Sequence, residues 1–165
     1  MKKIELKYPR VSNAKRYFDI LNNPGFKYFR VSINSVKDEE KWLKDCPKRR
    51  KNNYSYDYSI FYNNKLVGGI GIKINQHEQY IGEIGYFVDK NYWNKGIATA
   101  AVKKAEKIGF NKLRLKRIEI RININNKASQ KVAIKSGYKK EGTLKKAMEL
   151  KGKYYDAILY AKVRK

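Results

Sequence analysis

The sequence has a single cysteine, few acidic residues and no apolar run as long as a membrane span requires. One cysteine, Cys46, excludes an internal disulfide. Because no metal-ligand partner or activating group lies near it in the sequence, we expect a packed, inert thiol. The missing apolar run excludes a membrane-spanning helix, and the chain opens without the pattern of a signal peptide. These absences predict a cytoplasmic protein with no membrane partner.

Acidic residues are scarce relative to basic ones: 15 Asp and Glu stand against 39 Lys and Arg, for a formal net charge of +24. Such an excess attracts polyanions such as RNA, ribosomes or anionic cofactors. The basic residues are spread along the chain, however, and the combined richness in Lys, Asn, Ile and Tyr is what AT-biased coding produces. The charge therefore predicts a weak, non-specific association with RNA or ribosomes, or reflects coding bias alone.

The apolar periodicity and the turn residues predict one mixed α/β domain over residues 1–165, as a monomer or a homodimer. The predicted order is a strand, two helices, three meandering strands, a helix, a strand, a short helix and a final hairpin. A right-handed crossover joins the third meander strand to the next strand. The boundaries are marked, in chain order, by Ile4, Asn13, Asn22, Ser35, Asn63, Asn75, Ile97, Asn111, Lys116, Gly137 and Gly152.

Two further stretches are interpreted structurally. The glycines of GGIGIK, residues 68–73, suggest a phosphate-binding loop, but such a loop opens a helix and this stretch continues as a strand. The glycines are therefore expected to permit a bulge or a close backbone approach. The polar stretch KRRKNNYSYD, residues 48–57, is predicted to be a loop that is free to face a substrate.

The stretch NKGIAT, residues 94–99, places small residues at the opening of a well-defined helix. A helix N-terminus presents unpaired N–H groups and partial positive charge, and anions bind there when no side chain blocks their approach. Gly96 removes one side chain, Ala98 and Thr99 keep the next ones small, and Lys95 adds positive charge. The loop predicts a pyrophosphate site; a glycine needed only for turn geometry is the alternative.

Three segments in this order resemble the GNAT superfamily of N-acetyltransferases: EIGYFVDKNYWNKGIATAAV, RIEIRININNKASQKVAIKSGYKKEGTLKKA and GKYYDAILYA. The branch they resemble is the Rim-type one, whose founding members acetylate the N-termini of ribosomal proteins. The family signature has Arg or Gln, two variable residues, Gly, one variable residue, then Gly or Ala. Gly96 and Ala98 match it, whereas Trp93 stands at the first position and Asn94 stands where this branch often has another glycine.

The resemblance implies a GNAT fold, which is a mixed, mostly antiparallel sheet with two splayed central parallel strands and a crossover helix. It implies acetyl-CoA as the cosubstrate and no metal. The pantetheine arm would pair with the splayed strands, here EIGYFVD and RIEIRINI, and would hydrogen-bond to Asn126. The pyrophosphate would meet amides of Asn94, Lys95, Gly96, Ile97, Ala98 and Thr99, with Lys131 and Lys135 near the nucleotide phosphates.

Acetyl transfer to an amine requires deprotonation of the ammonium, stabilisation of the oxyanion and protonation of the leaving thiolate. The resemblance implies that a backbone N–H near Phe87 or Val88 stabilises the oxyanion. Glu83 is the first candidate base, because partial burial on its strand would raise its pKa towards neutrality. It is equally a candidate for a structural carboxylate paired with Arg or Lys. Glu149 is the second candidate, although Met148 aligns most directly with the branch's carboxylate, and deprotonation through water is a third route.

The candidate acid is a serine. Many GNAT enzymes use a tyrosine four residues before the glycine of the SGY segment, but that position is Ala133 here. The Rim-type branch instead has a serine three residues after the asparagine, and Ser129 matches it. The alternative is that Ser129 only caps its helix or faces solvent. His77 lies in a polar turn and is interpreted as a surface histidine.

The sequence thus predicts an enzyme that transfers an acetyl group from acetyl-CoA to a primary amine by direct attack in a ternary complex. The amine, at a protein N-terminus or on a small molecule, cannot be identified from the residues. The alternative is a catalytically weak, basic RNA- or ribosome-binding module that keeps the GNAT fold.

Overall fold

The computed structural model describes residues 3–28 and 34–164. Seven strands form one sheet in the spatial order β1-β2-β3-β4-β5-β7-β6. The strands are β1 Ile4–Lys7, β2 Ser55–Tyr62, β3 Lys65–Ile74, β4 Ile81–Val88, β5 Arg117–Asn123, β6 Lys139–Leu150 and β7 Lys153–Val163. Their order along the chain, relative to the helices, is the order that the sequence predicts.

Four helices cover the two faces of the sheet: α1 Ala14–Leu21, α2 Val36–Lys51, α3 Ile97–Lys107 and α4 Lys127–Lys135. A π-helical turn, Ile108–Lys112, extends α3. On one face α1 and α2 bury a cluster around Tyr17, Leu43 and Cys46, and Phe87 of β4 packs against it. The other face carries the larger cluster, which joins α3 and α4 to the isoleucines of β3, β4 and β5. Neighbouring residues of β4 therefore point to different helix layers.

The parallel pair β4–β5 is joined only at its beginning. Residues 81–83 pair with residues 117–119, and beyond Glu83 the two strands have no shared register. All other neighbouring strands pair antiparallel, and α3 is the crossover between β4 and β5. The splayed central pair that the resemblance implies is confirmed, and its open end lies at the C-terminal ends of both strands.

The polar stretch at residues 48–57 is not a loop, and this prediction is wrong. Helix α2 continues through Pro47 to Lys51, and β2 begins at Ser55, so that only residues 52–54 connect them. Two arginines hold the last turns by stacking on rings, with Arg49 over Trp42 at 4.5 Å and Arg50 over Tyr8 at 3.8 Å. Packing against these rings thus keeps the polar residues 48–51 helical, although their polarity favours a loop.

The glycines of GGIGIK lie within β3, where they allow close approach. A Cβ at Gly68 would collide with the carbonyl oxygen of Phe87 on β4, and the β2–β3 register shifts beside it, between Ile60 and Phe61. Cys46 is buried and unpaired, and burial raises the pKa of its thiol to about 11, which is the inert thiol expected. No helix in the described part of the chain is long and apolar enough to cross a bilayer.

Candidate active site

Two cavities meet at the open end of the β4–β5 pair. The first, of about 690 Å³, lies beside the start of α3 and is called the α3 cavity. The second, of about 500 Å³, lies on the α1 and α2 side of the sheet and is called the α2 cavity. The residues that line both are Tyr28, Tyr86, Phe87, Asn126 and Ser129. A molecule in one cavity can therefore reach a molecule in the other at this junction.

The start of α3 offers free amides to the α3 cavity. The first helical hydrogen bond runs from Ala100 N–H to the Gly96 carbonyl, at 3.0 Å, so the amides of residues 97–99 have no acceptor within the helix. Gly96 is the N-cap with φ of +74°, and a Cβ built there meets nothing within 4 Å. Asn94 is also left-handed, with φ of +58°, a conformation that Asn tolerates better than most residues. This geometry suits an anion that approaches the backbone closely.

The predicted phosphate-binding lysines separate into two groups. Lys131 and Lys135 line the α3 cavity, and so does Lys27, which the sequence does not single out. Lys95 does not reach the cavity: its Nζ donates to the Asn91 carbonyl at 3.1 Å and lies over the ring of Tyr92. In this structure the exposed side chain of Lys95 braces its own loop, and its contact to a phosphate stays a prediction.

Of the predicted loop residues, Asn94, Gly96, Ile97 and Ala98 line the α3 cavity. Thr99 is half-buried and lies one position further into the helix, outside the lining. Its amide still belongs to the unpaired first turn of α3. The small side chains at positions 96 and 98 are thus placed where the sequence predicts them, at the cavity wall.

Trp93, the departure from the family signature, braces the loop. Its Nε1–H donates to the Val88 carbonyl at 2.6 Å, and its ring packs edge-on against Phe26. It thereby ties the loop before α3 to the end of β4 and to the segment after α1, whose residues form the opposite wall of the α3 cavity. The indole takes the place of the family's Arg or Gln side chain and leaves the space at Gly96 open.

The backbone of β4 has an unpaired edge towards the gap. Asp89 N–H donates to the Val67 carbonyl at 2.7 Å, which sets the alternation of the β3–β4 ladder. By this alternation the N–H of Phe87 points to β3, whereas the N–H groups of Tyr86 and Val88 point to the gap. Of the two predicted positions for an oxyanion donor, Val88 therefore directs its amide to the gap, and Phe87 contributes its ring to the cavity linings.

Two hydrogen bonds connect Tyr86, Ser129 and Asn126 at the junction, one to the serine hydroxyl and one to its backbone N–H. Asn126 caps α4 by accepting from the Ser129 N–H at 3.1 Å, and the Ser129 hydroxyl is bonded to the Tyr86 hydroxyl at 2.7 Å. Burial raises the pKa of Tyr86 to about 12, so its phenol stays protonated. Ser129 does not supply the capping side chain of α4, and its half-buried hydroxyl lines both cavities. The capping side chain is that of Asn126.

The α2 cavity contains two carboxylates. Glu83 is 32% exposed and faces Arg121, with a Nε–Oε2 distance of 3.7 Å. Asp57 is 13% exposed, accepts from the Ser55 hydroxyl at 2.7 Å and lies 3.6 Å from Arg49. Both carboxylates keep an accessible side in the cavity, and the long ion pair leaves both roles of Glu83 open, as base or as structural carboxylate.

The floor of the α2 cavity is bare backbone between these carboxylates. Gly71 of β3 and Gly85 of β4 are direct cross-strand partners, and Asp57 of β2 is the partner of Gly71 on its other side. A Cβ at Gly71 would meet Asp57 Oδ1 at 2.6 Å, and a Cβ at Gly85 would enter open space. The two glycines leave room for an extended acceptor above the sheet.

Glu149 is not brought into the site, and its candidacy as a base is corrected. It is exposed on β6, and its Oε1 accepts from the Gly152 N–H in the β6–β7 turn. Its neighbour Met148 is buried and lines the α2 cavity. Because alternate strand residues face opposite sides, Met148 inside places Glu149 outside.

His77 is exposed in the turn before β4, as interpreted from the sequence. Within residues 3–28 and 34–164, no three His, Cys, Asp or Glu side chains are grouped to hold a metal ion.

Three residues of the site escape the sequence reasoning. No role is assigned to Tyr86 from the sequence, and Asp57 falls in the stretch predicted to be a loop. Asn123, at the end of β5, lines the α2 cavity; its Nδ2 is buried and has no hydrogen-bond partner in the described part of the chain. Strand alternation would place these side chains on a face, but only the splay of β4 and β5 places Tyr86 at the junction of the two cavities.

Comparison with known proteins identifies the family. A model of the acetyltransferase (GNAT) domain matches residues 3–139, and the chain therefore belongs to the GNAT acetyltransferase family. Its relatives support the Rim-type branch. It is 28% identical over 131 residues to the ribosomal-protein-serine acetyltransferase of Escherichia coli (strain K12), covering 79% of this chain and 73% of that protein.

Two further proteins are similar, one in sequence and one in structure. The uncharacterized N-acetyltransferase YoaA of Bacillus subtilis (strain 168) is 33% identical over 100 residues, covering 61% of this chain but only 56% of YoaA. The match thus spans little more than half of that relative. The microcin C7 self-immunity acetyltransferase MccE, solved in complex with acetyl-CoA and AMP, superposes with a TM-score of 0.86 at 26% identity, over 98% of this chain and 93% of that one.

Proposed function

We propose that this protein is an acetyl-CoA-dependent N-acetyltransferase that acetylates a primary amine by direct attack in a ternary complex. The observation that carries the proposal is the junction of two cavities between the splayed strands, one beside free helix amides and one containing carboxylates. A donor and an acceptor can occupy the two cavities together, and an oriented amine beside a thioester needs no covalent enzyme intermediate. The free cysteine, the net charge and the family membership fit the cytoplasm as the compartment.

The α3 cavity suits acetyl-CoA. The unpaired amides at the start of α3 would hold the pyrophosphate, and Lys27, Lys131 and Lys135 would add positive charge around the phosphates. The free edge of β4 offers backbone N–H groups to the pantetheine arm. Asn126 uses its Oδ1 to cap α4, so its Nδ2 is the atom that would donate to a pantetheine carbonyl.

The α2 cavity suits the amine. Its lining balances Asp57 and Glu83 against Lys73 and Arg121, so this cavity lacks the positive excess of the whole chain, and a carboxylate that an ammonium contacts directly stabilises it at short range. The similarity to the ribosomal-protein-serine acetyltransferase supports a peptide α-amine as the first acceptor class, and a small primary amine as the second. The bare floor at Gly71 and Gly85 favours an extended chain over a bulky ring system.

Three groups divide the chemistry. Glu83 accepts the amine's proton, directly or through water, because its carboxylate faces the α2 cavity. The Val88 N–H donates to the carbonyl oxygen on which negative charge develops during the attack. Ser129 donates to the sulfur as the carbon–sulfur bond breaks. Each group lies in or beside the junction, where donor and acceptor would meet.

The proposal is tested by incubating the protein with acetyl-CoA and a panel of acceptors. The panel contains short peptides with Ser, Ala or Met at the N-terminus, together with small mono- and diamines. Release of the CoA thiol and the mass of one added acetyl group are followed. Transfer to an amine supports the proposal, whereas thiol release that no amine accelerates argues against it.

Glu83→Gln is expected to lower kcat about tenfold, a modest loss because water-mediated deprotonation can substitute for the carboxylate. Steady-state kinetics with the best acceptor of the panel measure it. Glu149→Gln is the matched control, since that carboxylate only serves the β6–β7 turn. If Arg121→Ala lowers kcat as much as Glu83→Gln does, the ion pair is structural and Glu83 is not the base.

The net charge of +24 is expected to give weak, sequence-independent RNA binding that disappears as salt rises. Surface fields reach only about 8 Å at physiological ionic strength, whereas acetyl-CoA would keep its close contacts to the α3 amides. Acetyl-CoA affinity should therefore weaken less over the same salt series. Filter binding of several unrelated RNAs measures the first quantity and calorimetry the second. A strong preference for one RNA that survives high salt would contradict this expectation and favour an RNA-binding module.

A further inference from the structure

We propose that Tyr86 is a positioning residue that fixes the direction of the Ser129 hydroxyl, so that the serine hydrogen points at the sulfur of the bound thioester. The inference rests on the proposed function. Its basis is the 2.7 Å bond between the two hydroxyls at the place where the α3 and α2 cavities meet. The donor and the acceptor meet at this junction, so the breaking carbon–sulfur bond belongs there as well.

The direction of the hydrogen bond follows from the surroundings. If Ser129 donated to Tyr86, the phenol hydrogen would need a second acceptor, and no other partner of that hydroxyl is found in the described part of the chain. A buried donor without an acceptor is costly. We therefore assign the donor role to Tyr86 and the acceptor role to Ser129 Oγ. The raised pKa keeps the phenol protonated as a donor at every physiological pH.

This direction leaves one hydrogen free. A serine hydroxyl has a single hydrogen and two lone pairs, and here one lone pair accepts from Tyr86. The Ser129 N–H is already held by Asn126 Oδ1, which fixes the backbone of the first turn of α4. The serine hydrogen is thus available to a ligand at the junction.

The contact also spans the gap in the sheet. Tyr86 lies on β4 beyond Glu83, where β4 no longer pairs with β5, and Ser129 lies on the helix that follows β5. The position where many GNAT enzymes have an acidic tyrosine is Ala133, which is fully buried in the core. The tyrosine hydroxyl of this chain comes instead from the opposite strand, and it reaches the sulfur through the serine.

As the amine's nitrogen–carbon bond replaces the carbon–sulfur bond, the sulfur takes the electron pair of the broken bond and the proton of Ser129. The ammonium gives up two protons: Glu83 or water passes the first to solvent before the attack, and the second, lost from the nitrogen once the new bond has formed, restores the serine hydroxyl. Tyr86 keeps its own proton throughout, and the products are an N-acetylated amine and the CoA thiol.

The test reads the thiol of bound CoA directly and needs no acceptor. The NMR shift of the methylene carbon next to the CoA sulfur, followed against pH in the complex, gives the pKa of the bound thiol. A hydroxyl aimed at the sulfur stabilises the thiolate, so the parent should bind CoA with a thiol pKa below that of free CoA. Tyr86→Phe and Ser129→Ala should each raise that pKa by about one unit.

Kinetics supply the second readout. Tyr86→Phe should lower kcat about tenfold with little change in the KM for acetyl-CoA, and the double variant should be no slower than Ser129→Ala alone, because the tyrosine acts through the serine. Ser59→Ala is the control: it removes a buried serine hydroxyl that is bonded to Tyr17 at 2.7 Å and donates to Asn13 Oδ1 at 3.2 Å, at a position outside the lining of both cavities. Thiol pKa and kcat should stay at the parent's values in that variant.

The outcomes separate the two proposals. If the parent does not bind CoA, the proposed function fails and this inference fails with it. If CoA binds and Ser129→Ala shifts the thiol pKa but Tyr86→Phe does not, only the role of Tyr86 is overturned. Additive losses in the double variant would likewise make Tyr86 merely structural. Should Tyr86→Phe not fold, a fluorinated tyrosine at position 86, which is a stronger donor, should lower the thiol pKa below the parent's, and an unchanged pKa would overturn the role.

Discussion

Gly96→Val should abolish acetyl-CoA binding in a chain that still folds. The residue lies at φ of +74°, where a β-branched side chain is strained, and its missing Cβ opens onto the α3 cavity. A valine would either reshape the loop or cover the amides of residues 97–99, and both outcomes remove the anion site. Calorimetric titration with acetyl-CoA measures the loss, and circular dichroism checks that the fold is retained.

Gly152→Val is the matched control for this experiment. Gly152 also has a positive φ, +76°, and open space at its Cβ, but it lies in the β6–β7 turn, away from both cavities. The Gly152→Val variant has the same backbone strain but leaves the amides at the start of α3 accessible, so its affinity for acetyl-CoA should equal the parent's. Unchanged affinity in Gly96→Val would remove the start of α3 from the binding site.

Ser129→Ala should lower kcat about tenfold to a thousandfold while acetyl-CoA affinity remains nearly intact. The change removes a hydroxyl at the cavity junction and leaves the N–H that bonds to Asn126. Loss confined to kcat is the signature of a group that acts mainly in the transition state. Steady-state kinetics and calorimetry on the same preparation separate the two quantities.

Ser136→Ala serves as the control from the other end of α4. The Ser136 hydroxyl is buried and has no hydrogen-bond partner in the described part of the chain. Its removal should leave both kcat and affinity at the parent's level. A Ser129→Ala variant as fast as the parent would exclude the serine from the mechanism.

Periodicity, capping and turn residues were sufficient to predict the order of the strands and helices and the helix start at Gly96 and Ile97. Ser35 caps α2 by accepting from the Asp38 N–H, as its spacing indicates, and Gly137 and Gly152 both adopt the positive φ that their turn positions suggest. The start of α3 at Ile97 follows from the small residues that precede it. These features depend on neighbours in the sequence, and periodicity and capping report on such neighbours directly.

The errors arise where register or distant packing decides. Strand β6 shifts its register against β7 between Leu144 and Met148, and Lys146 has a positive φ there. Between these residues β6 advances four positions while β7 advances two, so two residues of β6 bulge out of the ladder, and sequence spacing alone does not show the local pairing of Met148 and Glu149. The 2.7 Å bond between Tyr86 and Ser129 joins residues 43 positions apart, and it exists only because β4 and β5 diverge.

The central claim is that the α3 cavity is an acetyl-CoA site, and one calorimetric titration of the unmodified protein at physiological salt tests it most directly. The account predicts saturable binding of acetyl-CoA at one site per chain, competition by CoA, and persistence of most of the affinity when the salt is raised. Two results would contradict it: no saturable binding of acetyl-CoA at all, or acetyl-CoA binding that disappears at the higher salt as RNA binding does.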